Sequence, residues 1–154
     1  MPSYEKHLAG GFATFIPLAF LLKQPTTNFS DLTMWLFFCL IGSLFPDIDT
    51  KSHIQKWIYA FALILIVIFY FLNRALSPLF LLLALPLLVR HRGLFHNPRF
   101  LLALAIFIAI LLKLNLLKIG QNYWILALFF LLGAYSHLIL DLGFKQFSTK
   151  LLKK

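Results

Sequence analysis

The chain of 154 residues is 61% hydrophobic, has a mean hydropathy of +0.88 and carries charge on only 12% of its residues. A soluble domain has roughly 25% charged residues, so composition argues against a water-soluble core and for an all-α integral membrane bundle in a single domain, residues 1–154. The net charge of +9 does not imply nucleic acid, because no basic segment interleaved with aromatics stands outside the apolar runs.

The cations instead lie between apolar runs and at the C-terminus, where topology and anionic-lipid contacts place them. The lipid bilayer is therefore the expected partner, and oligomeric state is not readable. The one cysteine, Cys39, sits within an apolar run, so a disulfide framework is excluded. The N-terminus lacks a basic n-region followed by a small-residue cleavage site, so the first apolar run is expected to stay in the protein.

Six apolar runs follow in order, predicting about six transmembrane or partly embedded helices. They are His7–Leu22, Leu32–Phe45, Ile54–Leu72, Leu76–Val89, Phe100–Leu117 and Tyr123–Leu142. Ser30 and Asp31 supply a capping signal before the second, and Pro46 ends it. A full span needs about 20 residues. The third, fifth and sixth runs reach that length; the first, second and fourth must extend into polar flanks, tilt, or end inside the bilayer. With six spans, one side of the membrane holds Lys6, Lys51, Lys56, Arg90, Arg92, Arg99, Lys145, Lys150, Lys153 and Lys154, against Lys23, Arg74, Lys113 and Lys118 on the other. The positive-inside rule then places both termini in the cytoplasm.

On that topology nearly every side chain able to bind a metal ion falls at the cytoplasmic end. LFPDIDTKSH, residues 44–53, holds Asp47 and Asp49 between two hydrocarbon-like runs. Two carboxylates so close repel and raise each other's pKa unless a cation joins them. His53 in the same stretch reads as a surface residue. In YSHLILDLG, His137 and Asp141 are four apart near the end of an apolar helix, about 40° apart on one face and able to hold one cation. A His–Asp hydrogen bond between helices is the plainer alternative.

VRHRGLFHNP holds His91 and His96, whose five-residue gap demands a turn for shared ligation; Gly93 and Pro98 allow one. Arg90 and Arg92 suit an anionic phosphate, or else form an ordinary basic loop. His7 opens HLAGG, where Gly10 and Gly11 permit close helix approach. Glu5 is a weak general-base candidate. Mixed His/Asp ligands favour a divalent metal, zinc before manganese or magnesium.

Together, H-x-x-x-G at His7–Gly11, PDID at 46–49, HRGLFH at 91–96 and H-x-x-x-D at 137–141 resemble the YdjM family. Those are bacterial inner-membrane proteins described as membrane-bound metal-dependent hydrolases. They are distantly grouped with zinc-dependent phospholipase C and P1 nuclease. The resemblance spans nearly the whole chain. It implies a multi-pass protein of the bacterial inner membrane, phosphoester hydrolysis, and metal ligands at His7, Asp47, Asp49, His91, His96, His137 and Asp141. Relatives often carry Thr before the second histidine of HRG and Ser after it; here Phe95 and Asn97 stand there.

Two functions follow as expectations. One is a hydrolase acting on a lipid or amphiphilic phosphoester, with His91 and Asp49 catalytic and Arg90 and Arg92 binding the anion. The other is a non-catalytic membrane protein that binds or moves a metal ion or proton. A transit path needs polar residues on both membrane faces, and the far side is nearly empty of ligand types.

Overall fold

A computed structural model describes residues 4–49, 94–113 and 123–152. They form helices α1 (Tyr4–Leu22), α2 (Phe29–Leu44), α3 (Pro98–Lys113), α4 (Tyr123–Leu142) and α5 (Phe144–Leu152), with 3-10 turns at Phe45–Asp49 and Leu94–His96. Among the described residues there is no strand, so the all-α class holds. The runs Ile54–Leu72 and Leu76–Val89 lie outside the described residues, as does the end of the fifth run. Among the described residues two helices, Phe29–Asp47 and Tyr123–Leu142, are long and apolar enough to cross a membrane, and Pro98–Ile110 is a shorter apolar helix.

Local signals explain the boundaries. The first run extends into its polar flank: α1 begins at Tyr4 and carries Glu5 in its first turn, where a carboxylate complements the helix dipole. α2 starts earlier than Ser30 and Asp31 suggest. Asn28 is the N-cap, and the Asp31 carboxylate accepts the Asn28 backbone N–H at 2.9 Å. Asp31 therefore acts from inside the first turn, as the reciprocal half of a capping box, rather than ahead of the helix. At the other end Pro46 has no N–H to continue the α ladder. The backbone does not reverse there but tightens into a 3-10 turn that carries Asp47 onward from α2.

Residues Met1–Pro46 and Phe95–Lys154 form one compact unit; Asp47–Leu94 form a second, of which only Asp47–Asp49 and Leu94 are described. In the first unit α4 touches each of the other four helices, most extensively α2. Lipid offers no hydrophobic drive between helices, so close contact of small residues must hold them. A Cβ at Gly42 would run into the Phe130 carbonyl oxygen, and one at Gly133 into that of Cys39. The two backbones therefore touch at these glycines.

α1 lies against both partners. A Cβ at Gly10 would meet Leu140 Cδ1 at 2.7 Å and one at Gly11 would meet Ser43 Oγ at 2.9 Å, while the Cys39 thiol points at the Gly11 carbonyl, 3.4 Å away. Close approach at Gly10 and Gly11 is thus realised. Further along, Phe129 of α4 stacks on Trp35 of α2, centroids 5.2 Å apart, and meets Phe15 of α1 at 5.6 Å. The outer faces keep large apolar side chains such as Phe20, Phe29 and Ile106 exposed, as lipid-facing surfaces do.

Candidate metal centre

Helix α4 builds the middle of the site. His137 and Asp141 share a face at i, i+4, and His137 Nε2 stands 3.4 Å from Asp141 Oδ2. The crossing at Gly42 and Gly133 brings the end of α2 against this face, so that His137 Nδ1 lies 2.8 Å from the Ser43 carbonyl oxygen. Helix α1 delivers His7, whose ring stacks on His137 with centroids 3.8 Å apart and planes 17° from parallel. Its Nε2 is 3.5 Å from Asp141 Oδ1, the other carboxylate oxygen.

The turn before α3 supplies His96, with Nε2 3.5 Å from Asp141 Oδ2. That turn is held by Phe95, which is fully buried and packs edge-on against Phe45 at 5.3 Å and Phe100 at 5.5 Å. Asn97 Oδ1 caps α3 by accepting the Arg99 N–H at 3.0 Å, with Pro98 at the first helical position, where its missing N–H costs nothing. The two departures from the family pattern, Phe95 and Asn97, therefore both have structural roles.

Phe45, which opens the turn after α2, also contacts Phe130 of α4 at 5.3 Å. It is bonded to Pro46 and so positions Asp47 two residues on, from the α2 side. One ligand atom each from Asp47, His96, His137 and Asp141 lie within 4.8 Å of one another.

Tautomer chemistry decides what this cluster suits. A carbonyl oxygen only accepts, so His137 Nδ1 must be the donor to Ser43. In a neutral ring, Nε2 then presents its lone pair towards the Asp141 carboxylate. Two electron-rich atoms 3.4 Å apart repel unless a proton or a cation lies between them. Protonating His137 would place an imidazolium in parallel stack with the His7 ring and beside His96, in a pocket where His7, His96 and His137 are all at most 5% exposed. A metal ion resolves the same conflict without crowding charged rings. Donation of the second ring N–H to a backbone carbonyl is also the arrangement typical of metal-bound histidine. For bonds of about 2.0–2.1 Å, neighbouring ligands of a tetrahedral ion lie about 3.3–3.5 Å apart, close to the 3.4 and 3.5 Å between Asp141 Oδ2 and the His137 and His96 nitrogens. The residues present fit a divalent cation.

Of the ligand set read from sequence, His7, Asp47, His96, His137 and Asp141 come together. Asp49 ends the turn after α2, its side chain outside what is described, and Arg90, His91, Arg92 and His53 lie outside the described residues. Glu5 is exposed and distinct from the buried cluster. Sequence reasoning missed the Ser43 carbonyl, which has no side-chain signature. It also missed Gly42 and Gly133, although Gly133 lies one helical turn before His137 and could have been read as the small residue that lets a partner helix reach it.

Fold and site together define an all-α membrane protein with a buried His/Asp cluster where its helices end. The chain belongs to the YdjM inner membrane protein family, whose family model matches residues 1–152. No curated protein and no solved structure matches it.

Proposed function

We propose that the protein is a membrane-bound metal-dependent hydrolase that cleaves a phosphoester of a lipid or amphiphile at the cytoplasmic face of the inner membrane. The observation that carries the reading is the His137 pair of contacts: Nδ1–H committed to the Ser43 carbonyl at 2.8 Å and Nε2 turned towards Asp141 at 3.4 Å. Asp47, His96, His137 and Asp141 would hold the ion, zinc before manganese or magnesium, with Asp49 and His91 completing the set. A divalent ion held there supplies Lewis acidity, lowering the pKa of a water towards about 7 and polarising the scissile group.

The chain's own groups do the rest. The Ser43 carbonyl fixes the His137 ring and its tautomer. His7, stacked on that ring, restrains its tilt and shields the outer oxygen of Asp141. Phe45 packs on Phe95 and Phe130 and so steadies the turns that carry Asp47 and His96. His91 and Asp49 are proposed to move protons, and Arg90 and Arg92 to bind the anion through fork-shaped, always-charged guanidinium groups. The six-span topology with both termini cytoplasmic belongs to the same proposal.

The test is metal content of the purified protein, for wild type and for Asp47→Ala and His137→Ala, together with phosphate or diglyceride release from mixed lipid vesicles. Bound metal and lipid turnover that are lost together in both variants are expected. Negligible metal in the wild type would sink the proposal. Tightly bound metal without release from any phospholipid would move the assignment to the non-catalytic alternative, an ion-binding or ion-moving membrane protein.

A further inference from the structure

The C-terminal segment is not a tail. After Asp141 the chain passes Gly143, at φ 75°, a left-handed conformation that glycine adopts without strain. It then enters α5, FKQFSTKLL. Gly143 N–H still bonds the Ile139 carbonyl at 2.9 Å, and the Gly143 carbonyl accepts Phe147 N–H at 3.1 Å. The new helix is therefore tied directly to the last turn of α4.

At about 3.6 residues per turn, α5 divides into three strips. The inner strip carries Phe147, buried and edge-on to Tyr135 of α4 at 5.1 Å. The neighbouring Leu151 offers its carbonyl to Arg99 Nε at 3.2 Å. The next strip is apolar yet uncovered, with Phe144 71% and Leu152 78% exposed. The third is polar and basic, with Lys145, Thr149 and Lys150 exposed.

We infer that α5 is an interfacial helix that lies on an anionic lipid surface, with Phe144 and Leu152 in the acyl boundary and Lys145 and Lys150 at the headgroup phosphates. Three observations favour a bilayer over a protein partner. The helix leaves the end of α4, a helix of membrane-spanning length, and so starts near a membrane surface. Its uncovered apolar strip adjoins lysines, the layout of helices that rest in the headgroup region. Lysines complement anionic headgroups, each worth about a fivefold shift in binding near such a surface. Since α5 begins three residues after Asp141, it would also hold the His/Asp cluster at headgroup depth. The inference stands whether or not the cluster hydrolyses anything.

The experiment places a nitroxide label at single sites of the full chain in vesicles. The chain's one cysteine, Cys39, is fully buried, so labels attach selectively at Phe144→Cys, Leu152→Cys and Thr149→Cys. Collisions with oxygen, which concentrates in lipid, are compared with those of a water-soluble nickel chelate. In phosphatidylcholine vesicles containing phosphatidylglycerol, oxygen should dominate at 144 and 152 and the chelate at 149. Removing phosphatidylglycerol, or combining Lys145→Gln with Lys150→Gln, should shift the lipid-to-water ratio at 144 and 152 by about tenfold or more. Chelate access at 144 and 152 equal to that at 149 would overturn the inference. So would shielding from both reagents with dipolar broadening that grows with protein density, which would mean that a second copy covers the strip. The Thr149 label reports a folded, membrane-inserted protein in every case.

Discussion

Helices α2 and α4 meet twice within a few residues, and the two meetings obey opposite rules. At Gly42 and Gly133 backbone lies on backbone with no side chain between, and a Cβ at either glycine would collide with a carbonyl oxygen of the other helix. Beside Gly42, and one and two turns beyond Gly133, Ser43, His137 and Asp141 meet through polar atoms, with His7 and His96 added from other elements. The first contact has shape and no chemistry. The second has donor chemistry that suits an ion, and the Ser43–His137 hydrogen bond at 2.8 Å joins the two helices there. The glycine contact is the structural determinant, and the polar contact depends on it for its 2.8 Å and 3.4 Å spacings. Substitutions at the two places should separate stability from metal binding.

The largest effect is expected where the obstructing atom cannot move. Gly133→Val drives a branched side chain into the Cys39 backbone, and overpacking of this kind costs about 3 kcal/mol or more when backbone must shift. The unfolding midpoint in detergent should fall steeply, and bound metal should fall with it. Gly11→Ala meets side chains only, Ser43 Oγ at 2.9 Å, Ser43 Cβ at 3.0 Å and Leu40 Cδ2 at 3.3 Å, which give way more readily than backbone. Its cost should be about 1 kcal/mol. Equal losses in the two variants would remove the distinction between a rigid crossing and an adaptable flank.

Asp141→Asn should produce the reverse pattern. Asp141 is the residue that His7, His96 and His137 all approach, so removing its charge should weaken metal binding at least about 100-fold, more than loss of a supporting residue does. The metal-free protein should unfold within about 1 kcal/mol of wild type, because amide and carboxylate have the same shape. Titration with zinc in a competing chelator measures the first quantity and thermal unfolding the second. A chelator alone should then lower wild-type stability by about 2.7 kcal/mol if the ion was present at 100 times its Kd, and should leave Asp141→Asn unmoved. A chelator effect of the same size in both proteins would break the link between this carboxylate and the ion.

The parts of this molecule legible in its sequence are those where one residue type decides the outcome. α4 follows its apolar run at both ends, Tyr123 to Leu142, because Gly143 stops it and nothing charged interrupts it before His137. The His137/Asp141 pair was readable from helical spacing alone, and His7 from the apolar helix that follows it at once. The start of α2 was not. Asn28 and Asp31 can each cap, and which one does depends on whether the carboxylate folds back on the helix. α5 has no apolar run to announce it, since its nine residues carry spaced lysines, and its buried side is evident only from Phe147 packed on Tyr135. Phe95 stood in a polar motif, so its role in the core, steadying the turn that carries His96, had no sequence signal.

The smallest effect tests how well the two contacts are insulated from the rest of α2. Asp31 caps that helix at the end opposite the Gly42 crossing, its carboxylate accepting the Asn28 N–H at 2.9 Å in an exposed setting. Asp31→Ala removes one exposed capping bond and one favourable charge at a helix N-terminus, which together cost about 0.5–1 kcal/mol. Fraying should stay within the first turn, because Trp35, stacked on Phe129 at 5.2 Å, pins the helix before the disturbance reaches Cys39 or Gly42. Metal affinity should therefore equal that of wild type within measurement error, while the unfolding midpoint drops slightly. A metal affinity that falls in step with stability would mean that α2 shifts along α4 as one rod. The glycine contact would then be a sliding surface, and the spacing of the polar cluster would be set by the whole length of the helix.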